Sequence, residues 1–445
     1  MIKISRFKLT TMQILSIGFA LVILLGGLLL TLPVASKSGT ATPFINALFT
    51  STSAACVTGL SVYDIYTHYS MFGQVVMVCL FEVGGLGFMM IAFLFSMAIH
   101  KKIGLRERSI MMESVGALRL GGIVRLVQKA VLGTLIIQLT GAAVLALRFC
   151  PKYGLATGVW FGIYHAVSAF CNAGFDLLGI TAPSTSLTTV YNDVTINVVI
   201  MLLIIVGGIG FIVWEDIIQN KWHFRHYRLQ TKIVLVTTAF LIVAGAAGFY
   251  IFESDVAFAG MNTGDKILAS FFQSVTPRTA GFCTVDMTKL GDSGSILTII
   301  LMIIGASPGS TGGGIKTTTF FVIILSIAAY IRGEESVNIF NRKIEDEAVK
   351  RSYNGATLYL FAAIAGIIII MQQGIGLGAA AFEAVSAIGT VGLSKNLTPS
   401  LNVASKITVI ALMYIGRVGS MSIAMALSRR VKTKVNHVPE KITTL

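Results

Sequence analysis

Long apolar segments alternate with polar loops along the whole chain. A helix needs about 20 predominantly apolar residues to cross the hydrocarbon core of a bilayer, and most of these segments are that long. The pattern therefore predicts an all-α membrane protein with many spans. The apolar segments are 12–32, 72–99, 130–149, 194–213, 233–252, 296–306, 318–331, 356–371 and 407–427.

Four short segments between the spans resemble one another, and each contains a glycine followed by Leu or Phe. A Ser or Val stands six positions before each glycine, and an aromatic residue stands ten positions before it. The stretch of ~12 residues leading to each glycine is too short to cross a bilayer, so it is predicted to be a re-entrant helix. The repeated segments are Ala54–Leu60, Ala169–Phe175, Thr276–Phe282 and Ala387–Leu393.

This repetition predicts four tandem units, each built from a first span, a re-entrant pore helix, a polar loop and a second span. The second spans share Gly-rich motifs, which are predicted to serve helix packing. Around a pseudo-fourfold axis the four units would form a pore like that of a K⁺ channel. The predicted units are 1–99, 100–220 with its preceding cytoplasmic loop, 221–332 with an interrupted second span, and 333–445 with a cytoplasmic tail.

The charged residues change the picture in two ways. Only 12% of the residues are charged and 55% are hydrophobic, which excludes a soluble enzyme, since soluble domains carry about 25% charged residues. The net charge of +14 comes from loops that alternate along the chain, so membrane topology explains it and no nucleic-acid partner is needed. The positive-inside tendency places both termini in the cytoplasm, together with the basic loops 100–129, 220–232 and 331–355.

The four repeated glycines predict a cation selectivity filter. Non-helical backbone at membrane depth must be packed in protein or line a wet cavity, and four such segments around one axis can offer carbonyl oxygens to a dehydrated cation. None of them carries a carboxylate, which favours K⁺ bound by peptide dipoles; the alternative is four glycine turns that only pack. The predicted filter is Cys56, Val57, Thr58, Gly59, Cys171, Asn172, Ala173, Gly174, Arg278, Thr279, Ala280, Gly281, Gly389, Thr390, Val391 and Gly392, with K⁺ held by the carbonyls of Val57, Asn172, Thr279 and Thr390.

The second span of the third unit is interrupted by a segment rich in Gly, Ser and Thr. Such a sequence does not hold a rigid helix, so it is predicted to be a mobile gating loop beneath the filter. Its Lys316 would repel cations there; alternatively the side chain extends to the lipid headgroups. The predicted loop is Gly305, Ala306, Ser307, Pro308, Gly309, Ser310, Thr311, Gly312, Gly313, Gly314 and Lys316.

Three further charged residues lie within or beside apolar segments. A charge inside a span is costly and usually functional. Arg417 is predicted to be an electrostatic barrier in the pore, and the alternative is an Arg bonded to the carbonyl ends of the broken helix. Glu82 is expected to be a partner between repeats rather than an ion ligand. Arg278 is expected to brace the third re-entrant loop by donating to backbone carbonyls.

These four filters and the segment Gly305–Lys316 resemble the Trk/Ktr/HKT superfamily of cation transporters, and the short N-terminus resembles its bacterial Ktr type. The resemblance covers nearly the whole chain, although only the glycine is common to all four filters. It implies potassium uptake across the bacterial cell membrane, often dependent on sodium. It also implies a homodimer that sits on a cytoplasmic ring of nucleotide-binding KtrA-like RCK subunits. The chain itself shows no phosphate loop or dinucleotide fingerprint, so no nucleotide is expected to bind here.

Two other functions are weighed against this one. A Na⁺/K⁺ carrier of lower selectivity, working by alternating access, would need inverted repeats, whereas the four units run in one orientation. A membrane-embedded enzyme would need a catalytic motif, and the sequence has no HExxH, GxSxG or pair of intramembrane Asp residues. K⁺ conduction is therefore the favoured function.

Overall fold

The computed structural model describes residues 10–87, 89–91, 104–115, 121–183, 185–221 and 223–419. The predicted tail beyond residue 419 lies outside the described residues, as do residues 92–99 of the predicted apolar segment 72–99 and residues 100–103 and 116–120 of the predicted basic loop. Most of the described chain is helical. A short antiparallel hairpin pairs β1 (Asn338–Ile339) with β2 (Arg342–Lys343).

Within the described part of the chain, four helices are long and apolar enough to cross a membrane, and they are the first spans of the four repeats. Each helix overlaps the corresponding predicted apolar segment and extends beyond it at one or both ends. They are α1 (Thr11–Thr31), α6 (Ile123–Tyr153), α10 (Leu229–Glu253) and α14 (Asp346–Met371).

Each long helix is followed by a shorter helix that ends near the repeated glycine, as the re-entrant plan predicts. These pore helices are α2 (Phe44–Ala55), α7 (Leu155–Cys171), α11 (Thr263–Val275) and α15 (Leu377–Ile388). The second spans are α4 (Met71–Leu86), α8 (Val194–Gly208) with α9 (Phe211–Asn220), α12 (Asp292–Ile303) with α13 (Thr317–Ile331), and α16 (Val403–Val418). Two further helices are α3 (Ile65–His68) and α5 (Leu105–Val115).

The prediction of three uninterrupted second spans was wrong. The structure ends α4, α8 and α16 at the Gly-rich motif, and α8 and α9 meet at 94°. The last glycine of each motif has a positive φ, a conformation that side chains disfavour and glycine adopts freely, and this breaks the helix. The glycines are Gly87 (φ 84°), Gly210 (φ 95°) and Gly419 (φ 93°).

The first glycine of each motif is a packing position. A Cβ there would contact the carbonyl oxygen of Ala55, Phe170 or Ile388, at the end of the pore helix in the same repeat. The prediction that these motifs serve packing therefore fits their first glycine, while the last glycine turns the chain. The three packing glycines are Gly84, Gly207 and Gly416.

The repeats close into a ring. The second span of each repeat packs on the pore helix of the next: α4 on α7, α8 on α11, α12 on α15, and α16 back on α2. Hydrogen bonds join the last repeat to the first, from Tyr414 Oη to the Ser16 carbonyl (2.7 Å) and from Lys406 Nζ to Asn46 Oδ1 (2.9 Å). The pseudo-fourfold architecture predicted from the repeated segments is thus the observed one.

The helix α1 shows which surface faces lipid. Leu21, Leu25 and Leu28 are 55%, 61% and 57% exposed, whereas Ile23 and Leu30 are buried against the bundle. A helix whose exposed face is as apolar as its buried face is typical of a span that contacts lipid, so the exposed leucines of α1 are expected to face the bilayer. We call the side carrying the start of α1 and the hairpin β1–β2 the inner face, and the side carrying Asp64 the outer face.

Candidate functional site

The chain takes an unusual backbone conformation just before each repeated glycine. The residue two positions earlier has a positive φ in all four repeats, although Val and Thr, which occupy three of these positions, strongly avoid it. Such strain persists only where the surrounding structure fixes it, and it clusters at functional sites. The residues are Val57 (56°), Asn172 (60°), Thr279 (74°) and Thr390 (51°), and the glycines are Gly59 (97°), Gly174 (71°), Gly281 (84°) and Gly392 (93°).

The four glycines form a closed ring. A Cβ placed on Gly59 would lie only 2.7 Å from the carbonyl oxygen of Ala173 and 3.2 Å from Cα of Gly174. Backbone therefore meets backbone where one repeat touches the next, and a side chain has no room. The same contact recurs around the axis, from Gly174 to Ala280, from Gly281 to Val391, and from Gly392 back to Thr58.

Hydroxyl groups hold the four loops in place, which explains the Ser that recurs six positions before the glycine. Ser53 Oγ accepts from the Gly59 N–H (3.0 Å), and Ser386 Oγ accepts from the Gly392 N–H (3.1 Å). Ser168 Oγ instead donates to the Phe175 carbonyl (2.7 Å). In the third repeat Val275 has no hydroxyl, and the next residue takes over: Thr276 Oγ1 donates to the Phe282 carbonyl (2.7 Å).

Four predicted filter residues lie at the end of a pore helix or just beyond it, not on the glycine ring. Cys56 and Gly389 are the C-cap residues of α2 and α15, and Cys171 is the last residue of α7. Arg278 is 7% exposed and donates to Thr238 Oγ1 on the first span of its repeat (3.3 Å). The expectation that Arg278 donates to backbone carbonyls was therefore wrong; the hydroxyl of α10 is its partner.

A cavity of about 130 Å³ opens on the outer face of the ring, and all four glycines line it. Two carboxylates that sequence reasoning missed, Asp64 and Asp176, also line this cavity. Burial raises the pKa of Asp176, in the loop after the second filter, to about 6; repulsion from Asp64 adds to the rise, and a hydrogen bond from the Leu178 N–H opposes it. The available signal was the position of Asp176, two residues after Gly174.

The interrupting segment of the third repeat lies directly against the inner face of the filter. Its base is held by hydrogen bonds from the Gly305 N–H to the Ile315 carbonyl (2.8 Å) and from the Ala306 N–H to the Gly313 carbonyl (3.2 Å). Its tip is fixed to the second and fourth repeats, because Thr311 Oγ1 donates to the Phe170 carbonyl (3.1 Å) and the Gly313 N–H donates to Thr390 Oγ1 (3.1 Å). The segment therefore packs against the second and fourth filter segments on their inner side.

Arg417 connects this segment to the first repeat. Its guanidinium donates to the carbonyls of Thr311 in the loop and of Gly84 and Gly85 at the end of α4. The alternative interpretation, an Arg bonded to the carbonyl ends of the broken helix, agrees with this geometry only in part: Thr311 lies within the interrupting loop, and the helix end that Arg417 contacts is that of α4 in the first repeat. Lys316 Nζ turns back to the Gly312 carbonyl (2.8 Å). Glu82 of α4 hydrogen-bonds Gln138 of α6, the inter-repeat contact expected for it.

The sequence and the fold of the chain are similar to those of known cation transport proteins. A sequence profile of the TrkH family, described as "Cation transport protein", matches residues 10–436. The chain is 41% identical to the potassium/sodium uptake protein NtpJ of Enterococcus hirae, over 95% of this chain and 94% of that protein. It is 39% identical to the Ktr system potassium uptake protein B of Bacillus subtilis, over 98% and 97%. The crystal structure of the potassium transporter TrkH from Vibrio parahaemolyticus superposes with a TM-score of 0.74 at 15% identity, covering 95% of this chain and 86% of that one.

Proposed function

The chain belongs to the TrkH family of cation transport proteins, and from that premise we propose that it is the ion-conducting membrane subunit of a bacterial potassium uptake system. The observation that carries the proposal is the closed ring of glycines. The ring places four strained backbone segments around one opening, with no carboxylate among the sixteen predicted filter residues. Carbonyl dipoles arranged in this way replace the hydration shell of K⁺.

The ligands in this proposal are the carbonyls of Val57, Asn172, Thr279 and Thr390. Each of these four residues has a positive φ, and so does the glycine two positions later. Sodium is proposed as a second ion that enters or activates the pathway, since the relative from Enterococcus hirae is named a potassium/sodium uptake protein. The lower-selectivity carrier remains the competing mechanism.

The decisive experiment is cation flux through the purified protein in liposomes. Rb⁺ flux with K⁺, Na⁺ and Li⁺ as competitors gives the order of selectivity. A channel-like pathway predicts that Rb⁺ moves down its gradient without a cation moving the other way through the protein, when a proton ionophore supplies the compensating charge, and that K⁺ competes best. Flux that needs an exchanged cation on the opposite side would favour the carrier, and no flux of any of these ions would overturn the proposal.

The inner face is proposed to be cytoplasmic, because the described basic residues of the loops 220–232 and 331–355 lie on it and positive charge favours that side. The hairpin β1–β2 and the N-terminal end of α10 on this face would then be available to the proposed homodimer and to KtrA-like nucleotide-binding subunits. Support for a second component comes from the relatives, which are named as parts of Ktr systems. Co-purification of the chain with such a subunit tests this arrangement.

Arg417 is proposed to hold the loop in its blocking position as well as to repel cations. An Arg417→Ala substitution removes the hydrogen bonds to the loop and to α4, and a hydrogen bond to a charged group contributes at least ~1 kcal/mol. We expect basal Rb⁺ flux to rise about fivefold. Arg332→Ala, which removes a guanidinium that pairs with Glu334 at the surface, is the matched control. Wild-type flux in Arg417→Ala would contradict both roles.

Asp176 is proposed to make uptake depend on the pH at the outer face. Its raised pKa of about 6 means that the carboxylate is ionised above this pH and neutral below it. As the outer pH falls from about 7.5 to 5, the cavity loses negative charge that concentrates cations, and uptake should fall about twofold at low ionic strength. Uptake by Asp176→Asn should not change over this interval, whereas Asp255→Asn, a change at an exposed outer carboxylate, should keep the pH dependence. An Asp176→Asn variant with the wild-type profile would disprove this role.

A further inference from the structure

A second cavity, of about 290 Å³, lies on the inner side of the loop. Lys316 and Arg417 both line it, and the rest of its wall includes the loop at Pro308 and apolar side chains of α1 such as Met12 and Phe19. One water needs only about 15 Å³ on this measure. The cavity is therefore large enough for a small ion together with part of its hydration shell.

The two cations at this cavity have only neutral partners. Lys316 donates to the Gly312 carbonyl, and Arg417 donates to the carbonyls of Thr311, Gly84 and Gly85. The salt bridges found among the described residues involve neither side chain. The two groups also lie close together, because they donate to the carbonyls of adjacent loop residues, Gly312 and Thr311. Two like charges thus face one partly enclosed space, and no described residue forms a salt bridge with either of them.

This arrangement is electrostatically unfavourable unless something offsets it. Like charges repel strongly where protein excludes water, because the effective dielectric constant is far below that of water. Carbonyl dipoles lower the energy of each cation separately, but they do not cancel the repulsion between the two. A mobile anion in the cavity would reduce this repulsion. Lys316 can donate two hydrogen bonds to the anion, because the Gly312 carbonyl accepts only one of its three N–H groups.

We propose that this cavity binds a small monovalent inorganic anion of the halide class, between Lys316 and Arg417. Lys316 belongs to the loop and Arg417 belongs to α16, so the site is complete only while the loop is docked. A ligand that binds one state stabilises that state by mass action. The anion therefore holds the loop closed. This inference rests on the proposed function, because it concerns the control of the proposed cation flux.

The test measures Rb⁺ flux in excised liposome patches or in liposomes of defined orientation, while chloride is exchanged for gluconate on one face at a time. Rb⁺ activity and ionic strength stay constant. Replacing chloride at the inner face should raise flux about fivefold, the lower end of typical coupling between two sites. The same exchange at the outer face should have no effect.

Variants connect this response to the cavity. In Lys316→Gln the flux should be equal in chloride and in gluconate, whereas Lys350→Gln, which removes an exposed cation beyond the cavity, should keep the full response. Line broadening of the ³⁵Cl NMR signal by the purified wild-type protein, lost in Lys316→Gln, reports binding without any flux measurement.

The outcomes separate this inference from the proposed function. Rb⁺ flux that is equal in both anions, with no ³⁵Cl broadening, disproves the anion site and leaves cation conduction standing. A full anion response in Lys316→Gln also disproves it. If ³⁵Cl broadening depends on Lys316 but no cation flux is found, the site is real and the proposed function fails.

Discussion

Deletion of residues 309–313 should raise basal K⁺ or Rb⁺ flux about a hundredfold. The deletion removes the hydrogen bonds that Thr311 makes to the carbonyls of Gly207 and Phe170, the one that Gly313 makes to Thr390, and the one that Arg417 makes to Thr311. The deletion also removes the bond from the Phe211 N–H to the Gly309 carbonyl (2.9 Å). These five hydrogen bonds, at about 1 kcal/mol net each, hold the loop against its neighbours. The stated rise is smaller than their sum because the shortened loop can form new contacts.

The deletion should leave the fold intact. The base of the loop keeps the hydrogen bonds from the Gly305 N–H to the Ile315 carbonyl and from the Thr317 N–H to the Ala306 carbonyl (2.8 and 3.4 Å). The helices α12 and α13 therefore stay connected at the same separation. Ser310→Ala is the control, because Ser310 Oγ donates only within the loop, to the Ser307 carbonyl (2.6 Å). A deletion variant that matches wild type in thermal stability and in flux would show that the loop is not the barrier.

The sequence predicted the first spans and the re-entrant helices well because length alone decides them. A bilayer of fixed thickness admits α10 as a span and α11 only as a re-entrant helix. The sequence pattern did not predict where the second spans break. Gly84 and Gly87 lie in one motif, yet one packs and the other turns the chain. A glycine is compatible with both roles, and only tertiary contact with the pore helix decides between them.

The candidate filter was predictable as a set of segments but not as a geometry. β-Branched residues such as Val57 and Thr279 strongly avoid a positive φ, so their intrinsic backbone preferences could not predict this conformation. The conformation exists because closure of the ring brings the four backbones into contact. The hydroxyl partner of Arg278 and the outer carboxylate Asp64 were equally hidden, since each depends on a contact between segments far apart in the sequence. Asp176 was predictable in principle, because it lies two residues after Gly174.

Gly59→Ser should reduce the preference for K⁺ over Na⁺ by about tenfold. A Cβ there would lie 2.7 Å from the Ala173 carbonyl oxygen, closer than real Cβ atoms come to other atoms, and Gly59 has a φ of 97°. Strain of this kind costs of order 1–3 kcal/mol. It can be relieved only if the backbone of the first or second filter segment moves. The carbonyl cage then loses the dimensions that suit K⁺, and Na⁺ competes better.

The ratio of Rb⁺ flux inhibition by K⁺ and by Na⁺ measures this change. Gly260→Ser is a matched control: Gly260 also has a positive φ (83°), but a Cβ there meets no atom within 4 Å. It therefore introduces the same backbone strain without any contact to the filter. If both variants are folded and Gly59→Ser keeps the wild-type ratio, the close ring contact does not set selectivity. If Gly260→Ser loses selectivity equally, strain acts through overall stability and the argument from the ring fails.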